Sequence, residues 1–147
     1  MTINQLLQKL EATSPILQAN FGIERESLRV DRQGQLAHTP HPSCLGARSF
    51  HPYIQTDFCE FQMELITPVA KSTTEARRLL GAITDVAGRS IATDEVLWPL
   101  SMPPRLKAEE IQVAQLENDF ERHYRNYLAE KYGTKLQAIS GIHYNME

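Results

Sequence analysis

QTDFCEFQMELITPV, residues Gln55–Val69, is the stretch on which the fold turns. It reads as a strand. Phe58, Phe61, Met63, Leu65, Ile66 and Val69 suit a pleated, half-buried surface, and Pro68 stops the run. Three carboxylates interrupt it: Asp57, Glu60 and Glu64. A buried carboxylate must be neutralised, paired or held on a cation, because its desolvation is costly. Side chains alternate faces along a strand, so Glu60 and Glu64 share one face with Gln62 between them. Cys59, Phe61, Met63 and Leu65 share the other and read as core. Asp57 has the wrong parity to join Glu64 in a regular strand. Either the chain bulges between them or Asp57 sits in the turn before the strand.

Working outward, Ala19–Val30, ANFGIERESLRV, is the second marked strand. Gly22, Glu24, Glu26, Leu28 and Val30 lie on one face, and Phe21, Ile23, Arg25, Ser27 and Arg29 on the other. Glu24 and Glu26 stand about 7 Å apart on strand geometry. Like charges at that range repel unless water or a cation intervenes. For a lone Glu-x-Glu, a solvated strand face is the ordinary reading. Asp31–Gly34 has turn chemistry, and Leu36–Thr39 suits a short returning arm. Leu136–Met146, LQAISGIHYNM, is the last strand. Leu136, Ala138, Ile142, Tyr144 and Met146 make its apolar face. His143 lies opposite them among Gln137, Gly141 and Asn145, as a ligand would.

The helices are plainer. Thr2–Glu11 carries capping-box spacing at Thr2 and Gln5 and an apolar side of Ile3, Leu6, Leu7 and Leu10, and Thr13–Pro15 ends it. Ser72–Thr93 has a Ser72/Glu75 capping box and a stripe of Ala76, Leu79, Leu80, Ile83, Val86, Ala87 and Ile91, wide enough to cover a sheet. Asn118–Tyr132 is capped by Asn118 or Asp119 and stopped by Gly133, with Phe120, Tyr124, Tyr127 and Leu128 as its apolar side. Tyr124 reads as core, although it and Arg125 would both serve a polar pocket. Thr39–Phe50 is a loop whose His41 and neighbouring His38 are possible ligands, although loop histidines are more often simply solvated. Glu95–Pro104 is broken by prolines and reads as a strap or pocket wall. Arg105–Gln115 has no decisive pattern.

The chain has 147 residues, 41% hydrophobic and 22% charged, with a net charge of -3. That describes one modest globular unit, with no electrostatic case for nucleic acid or an anionic membrane. No apolar run approaches the ~20 residues of a membrane span. Cys44 and Cys59 have no metal-like spacing, and with no secretory leader a reduced cytoplasmic compartment is expected. Three strands thus present acidic or imidazole groups. Hard oxygen donors suit Mg²⁺ or Mn²⁺, and several acids on one sheet face suit more than one ion, as nucleoside triphosphate chemistry requires. No Gly-x-x-x-x-Gly-Lys motif is present, which excludes a P-loop.

FGIERESLRV (Phe21–Val30), TPHPSCLG (Thr39–Gly46), HPYIQTDFCEFQMELITPV (His51–Val69), LWPLSMPP (Leu97–Pro104) and ISGIHYN (Ile139–Asn145) together resemble the bacterial glutamate–cysteine ligase family. HPYIQTDF (His51–Phe58) and DVAGRS (Asp85–Ser90) are most similar to its bifunctional, glutathione-synthesising members. The resemblance implies an α+β fold, an antiparallel sheet with helices packed on one face, as part of a glutamine synthetase-like catalytic domain. Residues 1–147 would be its incomplete N-terminal part, since relatives run well past the HYN motif. It implies an enzyme that uses ATP and Mg²⁺, with Mn²⁺ as an alternative, to phosphorylate the γ-carboxylate of L-glutamate before the amine of L-cysteine attacks. Glu24, Glu26, Asp57, Glu64 and His143 match the family's metal ligands. Tyr124 and Ile139 match the cysteine pocket, and Arg125 a phosphate or glutamate contact. Glu60 receives no role, against the parity argument, and Cys59 is packing. A related carboxylate–amine ligase with another amine, and a non-catalytic product, stay open, as does the oligomeric state.

Overall fold

Strand β1 (Phe21–Asp31) is the spine of the molecule. A computed structural model describes residues 1–13 and 19–147. The other elements, in chain order, are α1 (Ile3–Thr13), β2 (Ile54–Thr56), β3 (Gln62–Ile66), α2 (Thr73–Ser90), β4 (Glu95–Leu97), α3 (Asp119–Tyr132), α4 (Thr134–Gln137) and β5 (Ile142–Met146). All strand pairings are antiparallel. One edge of β1 carries β3, with Glu26 opposite Glu64, and β2 lies beyond β3. The other edge is shared: β5 takes Phe21–Arg25 and β4 takes Arg29–Asp31.

Gln55–Val69 is therefore a hairpin and not one strand. The chain leaves β2 at Thr56, folds over Asp57–Phe61 and returns as β3. Asp57 N–H donates to the Gln62 carbonyl, and Gln62 N–H to that of Cys59. The fold-back is stabilised from outside, since Cys59 bridges Val113, Glu60 N–H donates to Gln112 and Ala114 N–H to Phe58. The segment with no decisive pattern, 105–115, thus supplies the hairpin tip with backbone partners it could not find locally. Glu60 consequently leaves the Glu64 face and pairs with Arg48 and the Gln115 N–H. Cys59, Phe61, Met63 and Leu65 are all buried, as expected.

Helix α2 starts where Ser72 accepts from the Glu75 N–H, as its capping box predicts. Its stripe covers one face of the sheet. Leu80, Ile83, Ala87 and Ile91 pack on Ile54, Met63 and Leu65, and Ala76 on Ile23 and Ala70. Val86 stays exposed at the stripe's margin. A second cluster, Leu28, Val30, Leu36, Ala37, Phe58, Phe61 and Ile111, fills the far end of β1, with Leu128 and Ala129 of α3 against it. Asp31 makes the expected turn, its Oδ1 accepting from Gln33 and Gln35, and Val30 pairs back with Leu36.

Three further expectations need correction. Leu136–Met146 is a strand only from Ile142, because Gly133 at φ 80 opens the short helix α4 instead. Glu95–Leu97 pairs with β1 before Pro99 ends the run, so that segment begins as an edge strand. Phe120, Tyr124 and Tyr127 do not form a buried side of α3, since all three are exposed. Helix α1 has its Thr2/Gln5 box, but Ile3, Leu6 and Leu7 lie open. Its stop at Thr13–Pro15 runs into residues 14–18, outside the described residues.

Candidate metal centre

The face of the sheet opposite α2 carries the acids. In β1, Glu24 and Glu26 point there with Leu28, whose side is roofed by α3 and its neighbours only at that end. Cross-strand register builds rows on this face. Gln55, Glu64 and Glu26 form one row across β2, β3 and β1, and Ile66, Glu24 and His143 the next across β3, β1 and β5. Asp57 joins from the hairpin tip, which resolves its parity: it sits in the turn. Four carboxylates and one imidazole, from four separate segments, thus share one region.

Contacts within it are diagonal. His143 is registered opposite Glu24, yet its Nε2 lies 3.2 Å from Glu26 Oε1. Asn145 is registered opposite Gly22, and its amide donates to Glu24 at 3.1 Å. A diagonal neighbour on a twisted antiparallel pair is within reach of a long side chain. Glu26 also accepts the Gly141 N–H at 2.8 Å.

Crowding shows in the acids. Burial pushes the Glu64 carboxyl up to about 7, with Asp57, Glu24 and Glu26 adding to the push and Arg125 opposing it. Asp57 is raised too, first by burial and then by Glu26, again against Arg125. Arg125, on α3, donates to the Asp57 carbonyl at 3.0 Å and stands 3.7 Å from its carboxylate. It is the counter-charge of the cluster and ties α3 to the hairpin tip. Cys59, by contrast, is held far up by burial and is an inert, packed thiol.

The donor chemistry fits a hard divalent cation: carboxylate oxygens predominate, their mutual repulsion needs positive charge, and one imidazole stands beside them. Their spacing is open. Among the described residues no three His, Cys, Asp or Glu side chains stand close enough to hold a metal ion. Glu24 and Glu26 are turned instead to Asn145, Gly141 and His143. Tyr124 and Ile139 lie at the surface, 52% and 38% exposed, so neither is the core residue that apolar periodicity makes of Tyr124. His38 is solvated as expected, whereas His41 is buried on Thr56. Gly141 and Asn145, with no role assigned from sequence, prove to hold the two β1 glutamates. Their signal was the two-residue spacing Gly141, His143, Asn145, which puts all three on one strand face.

A family model described as glutamate-cysteine ligase matches residues 4–147. The chain is similar to the glutathione biosynthesis bifunctional protein of Streptococcus thermophilus, 98% identical over 147 residues, which are 20% of that protein's length. Two of the solved structures similar to it show the shared fold. One is a bifunctional glutathione synthetase from Pasteurella multocida, at a TM-score of 0.88 and 44% identity over 99% of this chain and 19% of that one. The other is a glutamate–cysteine ligase from Francisella tularensis in complex with AMP, at 0.86 and 36%, over 88% of this chain and 27% of that one. The chain thus spans about a fifth of the length of the curated relatives it matches.

Proposed function

Because the chain belongs to the glutamate–cysteine ligase family, we propose that residues 1–147 form the N-terminal part of a catalytic domain joining the γ-carboxylate of glutamate to the amine of cysteine, driven by ATP, the first step of glutathione synthesis. The observation that carries this reading is the shared sheet face of Glu24, Glu26, Asp57, Glu64 and His143, with Glu64 pushed up to about 7 by burial and its neighbours. Those five would hold Mg²⁺, or Mn²⁺ in its place. A divalent ion there would neutralise phosphate charge as it moves from ATP to glutamate. The residues themselves gather negative charge on one sheet face, which would draw a cation there and repel an anionic substrate in its absence. Arg125 would hold Asp57 in place and offer charge to a phosphate or to glutamate. Tyr124 and Ile139, exposed on the flank, would face the cysteine side chain.

Among the described residues no helix is long and apolar enough to cross a membrane. The two free thiols, Cys44 and Cys59, suit a reducing cytoplasm.

The test is ligation by the full-length protein with glutamate, cysteine and ATP–Mg²⁺. Glu26→Ala and Glu64→Ala should each lower kcat by on the order of 10²-fold or more. Near-normal turnover in either removes the metal-site assignment. Competition between cysteine and other small amines decides whether cysteine is the acceptor.

A further inference from the structure

We propose that Gly141 is a positioning residue, whose peptide N–H and missing side chain together hold Glu26 and His143 against each other. The proposal rests on the metal reading above for its consequence, but on separate geometry for its substance. Gly141 and Glu26 meet two ways. The Glu26 N–H donates to the Gly141 carbonyl at 3.0 Å, and the Gly141 N–H donates to Glu26 Oε2 at 2.8 Å. The other carboxylate oxygen, Oε1, faces His143 Nε2 at 3.2 Å. Each oxygen of Glu26 therefore has one assigned neighbour.

The imidazole lies over the Gly141 Cα. A Cβ there would stand 2.8 Å from His143 Nε2, 3.4 Å from Cε1 and 3.6 Å from Cδ2. The first distance is closer than non-bonded atoms allow. Backbone conformation does not explain the glycine, since only Gly34, Gly46 and Gly133 have positive φ. What excludes a side chain is the ring alone. His143 is half exposed and free to swing outward, so alanine would displace the imidazole from Glu26 and leave the sheet intact.

The peptide between Ser140 and Gly141 is pinned from behind. Its carbonyl accepts from the Ser101 hydroxyl, while its N–H donates to Glu26. The Ser140 N–H donates in turn to the Ser101 carbonyl at 3.0 Å. The strap 95–104 thus fixes the plane of the peptide that orients Glu26, and serial hydrogen bonds through one peptide reinforce each other.

The test is the Mn²⁺ dissociation constant, by electron paramagnetic resonance, of the full-length protein and of Gly141→Ala, His143→Ala and the double variant. Gly81→Ala serves as control, because a Cβ there meets open space. Groups that orient a metal ligand are worth on the order of tenfold in affinity. Gly141→Ala should lose about that much, with the melting temperature of wild type and with no further loss on the His143→Ala background. A Gly141→Ala affinity equal to wild type, or the same loss on both backgrounds, overturns the proposal. Wild-type protein that binds no Mn²⁺ overturns the metal reading instead. The crystal structure of Gly141→Ala then decides: an imidazole moved off Glu26 upholds the positioning role, and an unchanged contact overturns it. If Gly141→Ala does not fold, Ser101→Ala carries the test, and undiminished Mn²⁺ affinity in that variant overturns the proposal.

Discussion

Arg29 reads from strand parity as one of three polar residues on a face with Arg25 and Ser27, yet it is 1% exposed. Its guanidinium meets Glu95 at 3.0 Å and the Thr39 and Glu60 carbonyls at 2.7 and 3.1 Å. Burial lowers its pKa, and Glu95 opposes the shift. Removing one partner of such a pair strands the other charge in the interior. Arg29→Met should therefore cost about 3–5 kcal/mol in urea unfolding, far more than the same change at exposed Arg77. His41 gives a pH signature. Burial, then Arg48 and Arg29, hold it down to about 4 from 6.5, against Glu60 and Glu117, while Nδ1 pairs with Thr56 at 2.8 Å. As pH falls, the unfolded chain takes the proton first, so this contribution is whole above about 6.5 and fades as pH falls toward 4. The loss should reach about 3 kcal/mol, and His41→Gln should flatten that part of the stability–pH curve.

At the scale of elements, helix ends were legible because capping is local. Asn118 accepts from the Phe120 and Glu121 N–H groups and Gly133 closes α3, both as the sequence pattern requires. Asn118→Ala should lower stability by about 1 kcal/mol in thermal unfolding, with Asn126→Ala on the exposed side near neutral. The hairpin in Gln55–Val69 was not legible. Its break has no Gly, Pro or Asn, and depends on backbone partners at 112–114 that lie some fifty residues on. Alternation still placed Glu24, Glu26 and Glu64 correctly, because it holds inside each strand. It failed for Glu60, where the strand stops.

At the scale of the molecule, β5 pairs with β1 alone among the described residues and leaves its other edge open. Ile142, Tyr144 and Met146 are 58%, 78% and 75% exposed, and Tyr144, Met146, Phe21, Ile23 and Leu80 line a cleft of about 490 Å³ beside α2. Unpaired, apolar edges associate. Residues 1–147 alone should show a concentration-dependent rise in mass by light scattering, and Tyr144→Lys should reduce it. This cleft is separate from the acid cluster, which lies on the opposite face.

Residue order alone determined the three longer helices, their capping residues and the placing of Glu24, Glu26 and Glu64, since each follows from periodicity or from hydrogen bonds within a few residues. Five of its motifs also carried the family resemblance. Only tertiary structure decided where Gln55–Val69 folds back, that Arg29 is buried on Glu95, and that His143 reaches Glu26 past the Glu24 it is registered with. These depend on contacts between segments far apart in the chain and on the twist that brings diagonal neighbours together, and no local pattern encodes either.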